Sequence, residues 1–314
     1  RFRVQRAPMR LFPIVAVTLC GSVLADASLA EKPPRARPPE FTDEDRAVFF
    51  HDAFAELVGE PPELSAAPAA TESRAEAVVP GDAADWAALI DAGTLAREVR
   101  RQADRLAKAV ASPAAFRAGG FRDASDAAAM LAIGFAVIDD HADEPRWRDR
   151  AAAYRDRFAA AGEASESASD ESLAAARSAA GDATDLVRGS RPSAPEPNET
   201  VDWSDLASRY AVMRRMAWAE ESRLPGWTAD ERSLRRNADD ARHEAQVLAM
   251  LAEASVRPEA DDWDDEEYRG HAAALRRAAR SLAGAIDAGD QPAASAAMKA
   301  VSRACVDCHA DYRG

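Results

Sequence analysis

Apolar residues recur along much of this chain at intervals of three and four, the spacing of one face of a helix. The clearest stripe is Tyr268, Ala272, Leu275, Ala279, Leu282 and Ile286. It predicts a helix from about Asp264 to Ala288, closed by Gly289. The next stripe is Ala294, Ala297, Val301, Cys305, Cys308 and Tyr312, with Asp290 placed to cap the helix and Pro292 tolerated in its first turn. Upstream, Ser204–Arg223 reads as a helix ended by Pro225-Gly226. Thr228 with Glu231 forms a capping-box pattern that opens a further helix to about Ala254. Much earlier, Phe50, Phe54, Leu57 and Val58 give a short amphipathic helix over 41–59, with Thr42 and Asp45 at its start and Gly59 at its stop.

The pattern repeats. Asp85-Trp86 returns as Asp202-Trp203, an offset of 202 − 85 = 117. Ala129-Met130-Leu131-Ala132 returns as Ala249-Met250-Leu251-Ala252, an offset of 120, and Trp147-Arg148 as Tyr268-Arg269, an offset of 121. Ordered matches at a slowly drifting offset are the mark of a duplication with small loop changes. The expected fold class is therefore all-α: two tandem four-helix bundles, at 83–189 and 201–314, joined by a proline-bearing linker over 190–200. Residues 31–82 read as a proline-rich leader, the short helix 41–59 and a flexible linker.

Composition narrows the class. The chain is 47% hydrophobic but only 6% aromatic, so alanine carries its apolar content and favours closely packed helices. A net charge of −14 argues against nucleic acid and anionic membrane surfaces as partners. Residues 1–30 read as a signal peptide with upstream residues. Met9 is the expected start, Arg10 its basic flank, and Leu11–Leu24 an apolar stretch too short for a stable anchor. Small residues at Ala25-Asp26-Ala27 or Ser28-Leu29-Ala30 offer cleavage sites. This predicts a periplasmic or otherwise exported protein with no membrane span after signal cleavage, and with Cys20 removed.

The chemistry concentrates in Cys305-Val306-Asp307-Cys308-His309. Cys-x-x-Cys-His is the attachment signature of a c-type haem. On a helix, residues three apart share a face, so both thiols can form thioethers with one haem while His309 follows as axial iron ligand. Half a zinc site is a weaker reading, because the chain has 3 cysteines and no second pair. A redox disulfide is weaker too, because no βαβ pattern precedes the motif. Subtracting 121 from Cys305, Cys308 and His309 gives Thr184, Val187 and Arg188, so the first repeat is expected to bind no haem and to fill the space with Leu131, Ile133, Phe135 and Val137. The acidic run 261–267 lacks the glycine and ligand spacing of an EF-hand and reads as a solvated loop that caps a helix. His243 and His271 read as exposed helix residues and His141 as a turn residue.

The motif with the trailing Ala310-Asp311-Tyr312-Arg313 resembles the class II c-type cytochromes, of which cytochrome c′ is the best known. That resemblance implies a four-helix bundle with the haem on its last helix. It also implies that Arg209, four residues before Met213, lies near the haem propionates, and that Met213 lies over the open face of the iron as a possible sixth ligand. Met216 is a second candidate for that face, and Tyr312 is carried over as a haem-contacting residue. The expected cofactor is one covalent haem c. The expected function is one-electron transfer with a redox partner protein, not enzymatic catalysis. The alternatives are binding of nitric oxide or carbon monoxide at a five-coordinate iron, or an assembly role built on a degenerate repeat. Members of the resembled family commonly pair through their first two helices, so the two repeats are expected to form an intramolecular pseudo-dimer.

Overall fold

The structure is a computed structural model, and it describes residues 84–143 and 146–312. The signal peptide, the leader, helix 41–59 and Cys20 lie outside the described residues. Among the described residues every regular element is helical. Eight long helices carry the fold: α1 (Ala92–Ala109), α2 (Phe121–Asp140), α3 (Ala151–Ala164), α4 (Asp170–Arg188), α5 (Arg209–Ser222), α6 (Glu231–Ala254), α7 (Glu266–Asp287) and α8 (Gln291–Tyr312). No described helix is long and apolar enough to cross a membrane.

Local chemistry sets most helix ends. Asp91, Ser169, Ser208, Asp230 and Asp265 each accept a backbone N–H from the first turn of the helix that follows. Asp290 does the same for α8, accepting from Ala293 N at 3.0 Å. Gly289 closes α7 with φ 66, a left-handed backbone that glycine adopts without a Cβ clash. Two boundaries differ from the sequence reading. Helix Ser204–Arg223 is interrupted: a short turn, Trp203–Leu206, ends where Ala207 is extended, and Ser208 caps a new start. The Pro225-Gly226 pair sits inside a short helix, Leu224–Thr228. Thr228 closes that helix by donating to Leu224 O at 2.8 Å, so Asp230, not Thr228, caps α6.

α1 to α4 pack on one another around α2, whose residues 127–138 are buried on all sides. A helix apolar all round belongs in a core. Phe135 centres an aromatic cluster there, with ring centroids 6.0 Å from Trp147, 5.4 Å from Tyr154 and 5.6 Å from Phe158. Adding the sequence offsets of 120 and 121 to these four positions gives Ser255, Tyr268, Leu275 and Ala279. All four of those side chains are smaller, and Ser255, Tyr268 and Leu275 line a cavity.

The two halves share one continuous core of buried residues that runs from Trp86 to Ala304. α1 faces α6, and α2 faces α5. The seam between them is charged. Glu98 on α1 accepts two bonds from Arg215 on α5, at 2.9 and 3.1 Å, and His243 on α6 meets Glu98 at 2.8 Å. The sequence reading of His243 as exposed is therefore corrected: its ring is fully buried. His141 is buried too, with Nε2 on Ile90 O at 2.9 Å. In both cases a polar partner distant in sequence bonds Nε2, which periodicity along one helix does not report.

Candidate functional site

α8 carries the Cys-x-x-Cys-His stretch in its last two turns. Cys305 and Cys308 are half-buried free thiols that share one face. His309 lies on the exposed side of the same turn. All three line a cavity of about 260 Å³ bounded by α5, α6, α7 and α8. Met213, Met216 and Ala217 form its α5 wall, Ala252 and Ser255 its α6 wall, and Tyr268, His271, Ala272 and Leu275 its α7 wall. Glu220 and Glu221 stand at one edge, and Ser302 on α8 donates a hydrogen bond to Glu220.

Burial, with the Glu220 carboxylate and Cys308 beside it, pushes the Cys305 thiol up to about 12. Burial raises Cys308 as well, with Arg209 pulling the other way. Neither thiol is activated by a lowered pKa, which disfavours a redox pair. The one grouping of three possible metal ligands among the described residues is Glu267, His271 and Asp311, which contains no cysteine.

These residues fit a haem. Two thiols three residues apart on one face stand over a cavity whose remaining walls are mainly apolar, and an imidazole follows the second thiol. That donor set suits a flat apolar ring tethered by two thioethers and ligated from the same helix.

The other residues singled out from sequence are distributed around this cavity. Met213 lines it, and also lines a neighbouring cavity of about 240 Å³ that takes in Arg209, Ser255 and Tyr268. Arg209 lies only in the second. It is ion-paired with Asp261 at 3.3 Å and with Asp262, and its guanidinium sits 5.2 Å from the Tyr268 ring centroid. Tyr312 packs edge-on against Tyr268 at 5.2 Å and against His271 at 6.0 Å. Arg209, Tyr268, Tyr312 and His271 thus form a chain of contacts that ties α5 to α7 and α8 beside the cavity. The acidic run 261–267 supplies both the Arg209 partners and the α7 cap.

The sequence reading of His271 as an exposed helix residue is corrected by the structure. The residue is half-buried on the cavity wall, with Nε2 on Asp311 Oδ2 at 3.0 Å. Its place next to Ala272 and Leu275 on the α7 stripe was the available signal. Glu220 and Ser302 had none, because their meeting depends on how α5 and α8 cross.

Comparison with known proteins bears on this region alone. A family model described as Cytochrome C′ matches residues 227–313. The match takes in α6, α7 and α8 with the Cys-x-x-Cys-His stretch, and leaves out α5 with Arg209, Met213 and Met216. No curated protein and no solved structure matches. The C-terminal region is therefore cytochrome c′-like, and similarity of this kind carries haem binding with it.

Proposed function

We propose that this chain is an exported c-type cytochrome with one covalent haem, and that it transfers single electrons to and from a redox partner protein. The observation that carries the reading is the pair of half-buried thiols, Cys305 and Cys308, on one wall of an apolar cavity inside the region matched by the cytochrome c′ family. When bound, the haem supplies a one-electron iron couple whose potential is set by axial ligation and burial. Cys305 and Cys308 tether it, and His309 offers the axial imidazole. Met213, Met216, Ala272 and Leu275 exclude water from the cavity, and the Met213 thioether is the candidate sixth ligand.

A second reading is binding of a small diatomic gas. The α5 wall favours it: Met213, Met216 and Ala217 offer apolar surface and no basic or hydroxyl group. Under this reading Met213 packs over the open position without binding iron.

The first half is read as a degenerate copy that has lost its haem and pairs with the second half inside one chain. The offset pairs Phe135 with Ser255 and Tyr154 with Leu275 support this, since each sets a ring of the first half against a smaller side chain on the cavity wall of the second.

The test is a pyridine haemochrome assay on protein matured with covalent haem, followed by spectra of the reduced protein before and after carbon monoxide. One haem per chain that resists acid-acetone extraction supports the proposal. Extractable haem or two haems per chain refutes it. A large, immediate spectral response to carbon monoxide moves the function to gas binding.

A further inference from the structure

Residues 117 positions apart meet each other at two places along the seam between the halves. Trp86 stacks on Trp203, with 203 − 86 = 117 and ring centroids 5.8 Å apart. Glu98 holds Arg215, with 215 − 98 = 117. The helix starts keep the same offset: Asp91 caps α1 and Ser208 caps α5, with 208 − 91 = 117. A residue touches its own counterpart only near the axis of a two-fold contact. Off the axis the reciprocity holds between helices: α1 reaches α6 as α5 reaches α2. Arg97 on α1 donates to Asp239 O on α6 at 3.2 Å, and its counterpart Arg214 on α5 bonds Asp126 on α2.

At the axis the symmetry is broken in charge. Two identical halves would set glutamate against glutamate, or arginine against arginine. This chain sets Glu98 against Arg215, each side chain 4% exposed. Their neighbours complete the balance: Glu244 lies 2.7 Å from Arg215 and 2.7 Å from Arg101. The permanent charges of Glu98, Glu244, Arg101 and Arg215 sum to −1 − 1 + 1 + 1 = 0, with His243 bonded to Glu98 inside the same cluster.

We propose that the Glu98–Arg215 pair is an exclusivity lock. It admits the first half as partner to the second and rejects pairing of either half with another copy of itself. Replacing the first half by a second α5 would bury Arg215 against Arg215, and pairing two first halves would bury Glu98 against Glu98. Pairing two first halves takes from each buried Glu98 the Arg215 and His243 that bond it, and pairing two second halves leaves each Arg215 with Glu244 alone and a like charge across the axis. A surface that is shaped for two-fold self-association is thereby committed to one intramolecular partner, and the chain stays monomeric.

The experiment uses the full chain with three variants: E98R, R215E and the double variant. The charge sum of the cluster becomes +2 in E98R, −2 in R215E and 0 in the double variant, counted from the same four groups. Urea unfolding and sedimentation are measured for each. Wild type is expected to sediment as a monomer at all concentrations. Each single variant is expected to lose stability, and the double variant to recover more than about half of the loss, as coupled sites do. An equimolar mixture of E98R and R215E chains is expected to form a one-to-one dimer by exchanging halves, because each exchanged contact is neutral again. If the single variants fail to fold alone, recovery in the double variant and in co-expressed mixture decides the matter. The lock is overturned if the singles are as stable as wild type, if the double variant is no better than either, if the mixture stays unassociated, or if wild type dimerises through α5.

Discussion

Truncating Phe135 to alanine tests whether the aromatic cluster is what replaces a cofactor in the first half. Phe135 is fully buried, and its ring lies within 6.0 Å of Trp147, Tyr154 and Phe158, centroid to centroid. Loss of a buried phenylalanine side chain costs about 3–5 kcal/mol, more where the surroundings cannot collapse into the void. Here two of the three neighbours are held in place. Trp147 Nε1 donates to Leu186 O at 3.1 Å, and Tyr154 donates to Pro192 O at 3.2 Å. The cost should therefore lie in the upper part of that range, about 4 kcal/mol. At about 2–4 °C per kcal/mol for a domain of this size, thermal unfolding of Phe135→Ala should fall by roughly 8–16 °C. Circular dichroism melts of holoprotein give the number, and haem stoichiometry should not change. A loss below about 1 kcal/mol would refute the reasoning, because it would mean the cluster closes over the gap or does not fill that space.

The converse substitution, Ser255→Phe, puts a ring into the cavity beside Cys305 and should lower haem loading, read as haemochrome per chain; full loading would show that the cavity is not the haem site. His309→Ala leaves both thiols in place, so covalent haem should remain while the visible spectrum changes, and an unaltered spectrum would rule His309 out as axial ligand. Met213→Leu distinguishes ligation from packing: loss of a methionine–iron charge-transfer band, with faster carbon monoxide binding, marks a sixth ligand, whereas no change marks a packing residue. The Glu98 carboxyl gives a pH test. Burial pushes its pKa up, but Arg215 and the His243 hydrogen bond outweigh this and hold it well below the usual carboxylate range. The unfolded state then binds the extra proton, so the stabilisation is complete above the unfolded pKa of about 4.3 and is lost as pH falls below it. Wild type should lose more stability than Glu98→Gln between neutral and acid pH, and parallel urea-midpoint curves would contradict that.

The sequence by itself determined the helices and the chemistry of the motif, because both are local. The stripe Tyr268 to Ile286 lies on one face of α7 whatever it packs against, and Asp265, Gly289 and Asp290 end or begin helices through their own neighbours. The spacing of Cys305, Cys308 and His309 is likewise a property of a single helix. What the tertiary structure alone decided is everything that depends on two helices meeting. Of Glu98, Arg215, His243 and Glu244 only His243 drew a reading from sequence, as an exposed residue; all four are buried because opposite charges arrive from three different helices. His271 joins the cavity wall, and Arg209 turns to Asp261, Asp262 and Tyr268, for the same reason. The contrast between a ring-filled core in one half and a cavity in the other was written in the sequence as Phe135 against Ser255 and Tyr154 against Leu275. It became legible only when packing placed Phe135 and Tyr154 in a ring cluster and Ser255 and Leu275 on a cavity wall, since side-chain volume has no meaning until the space around it is known.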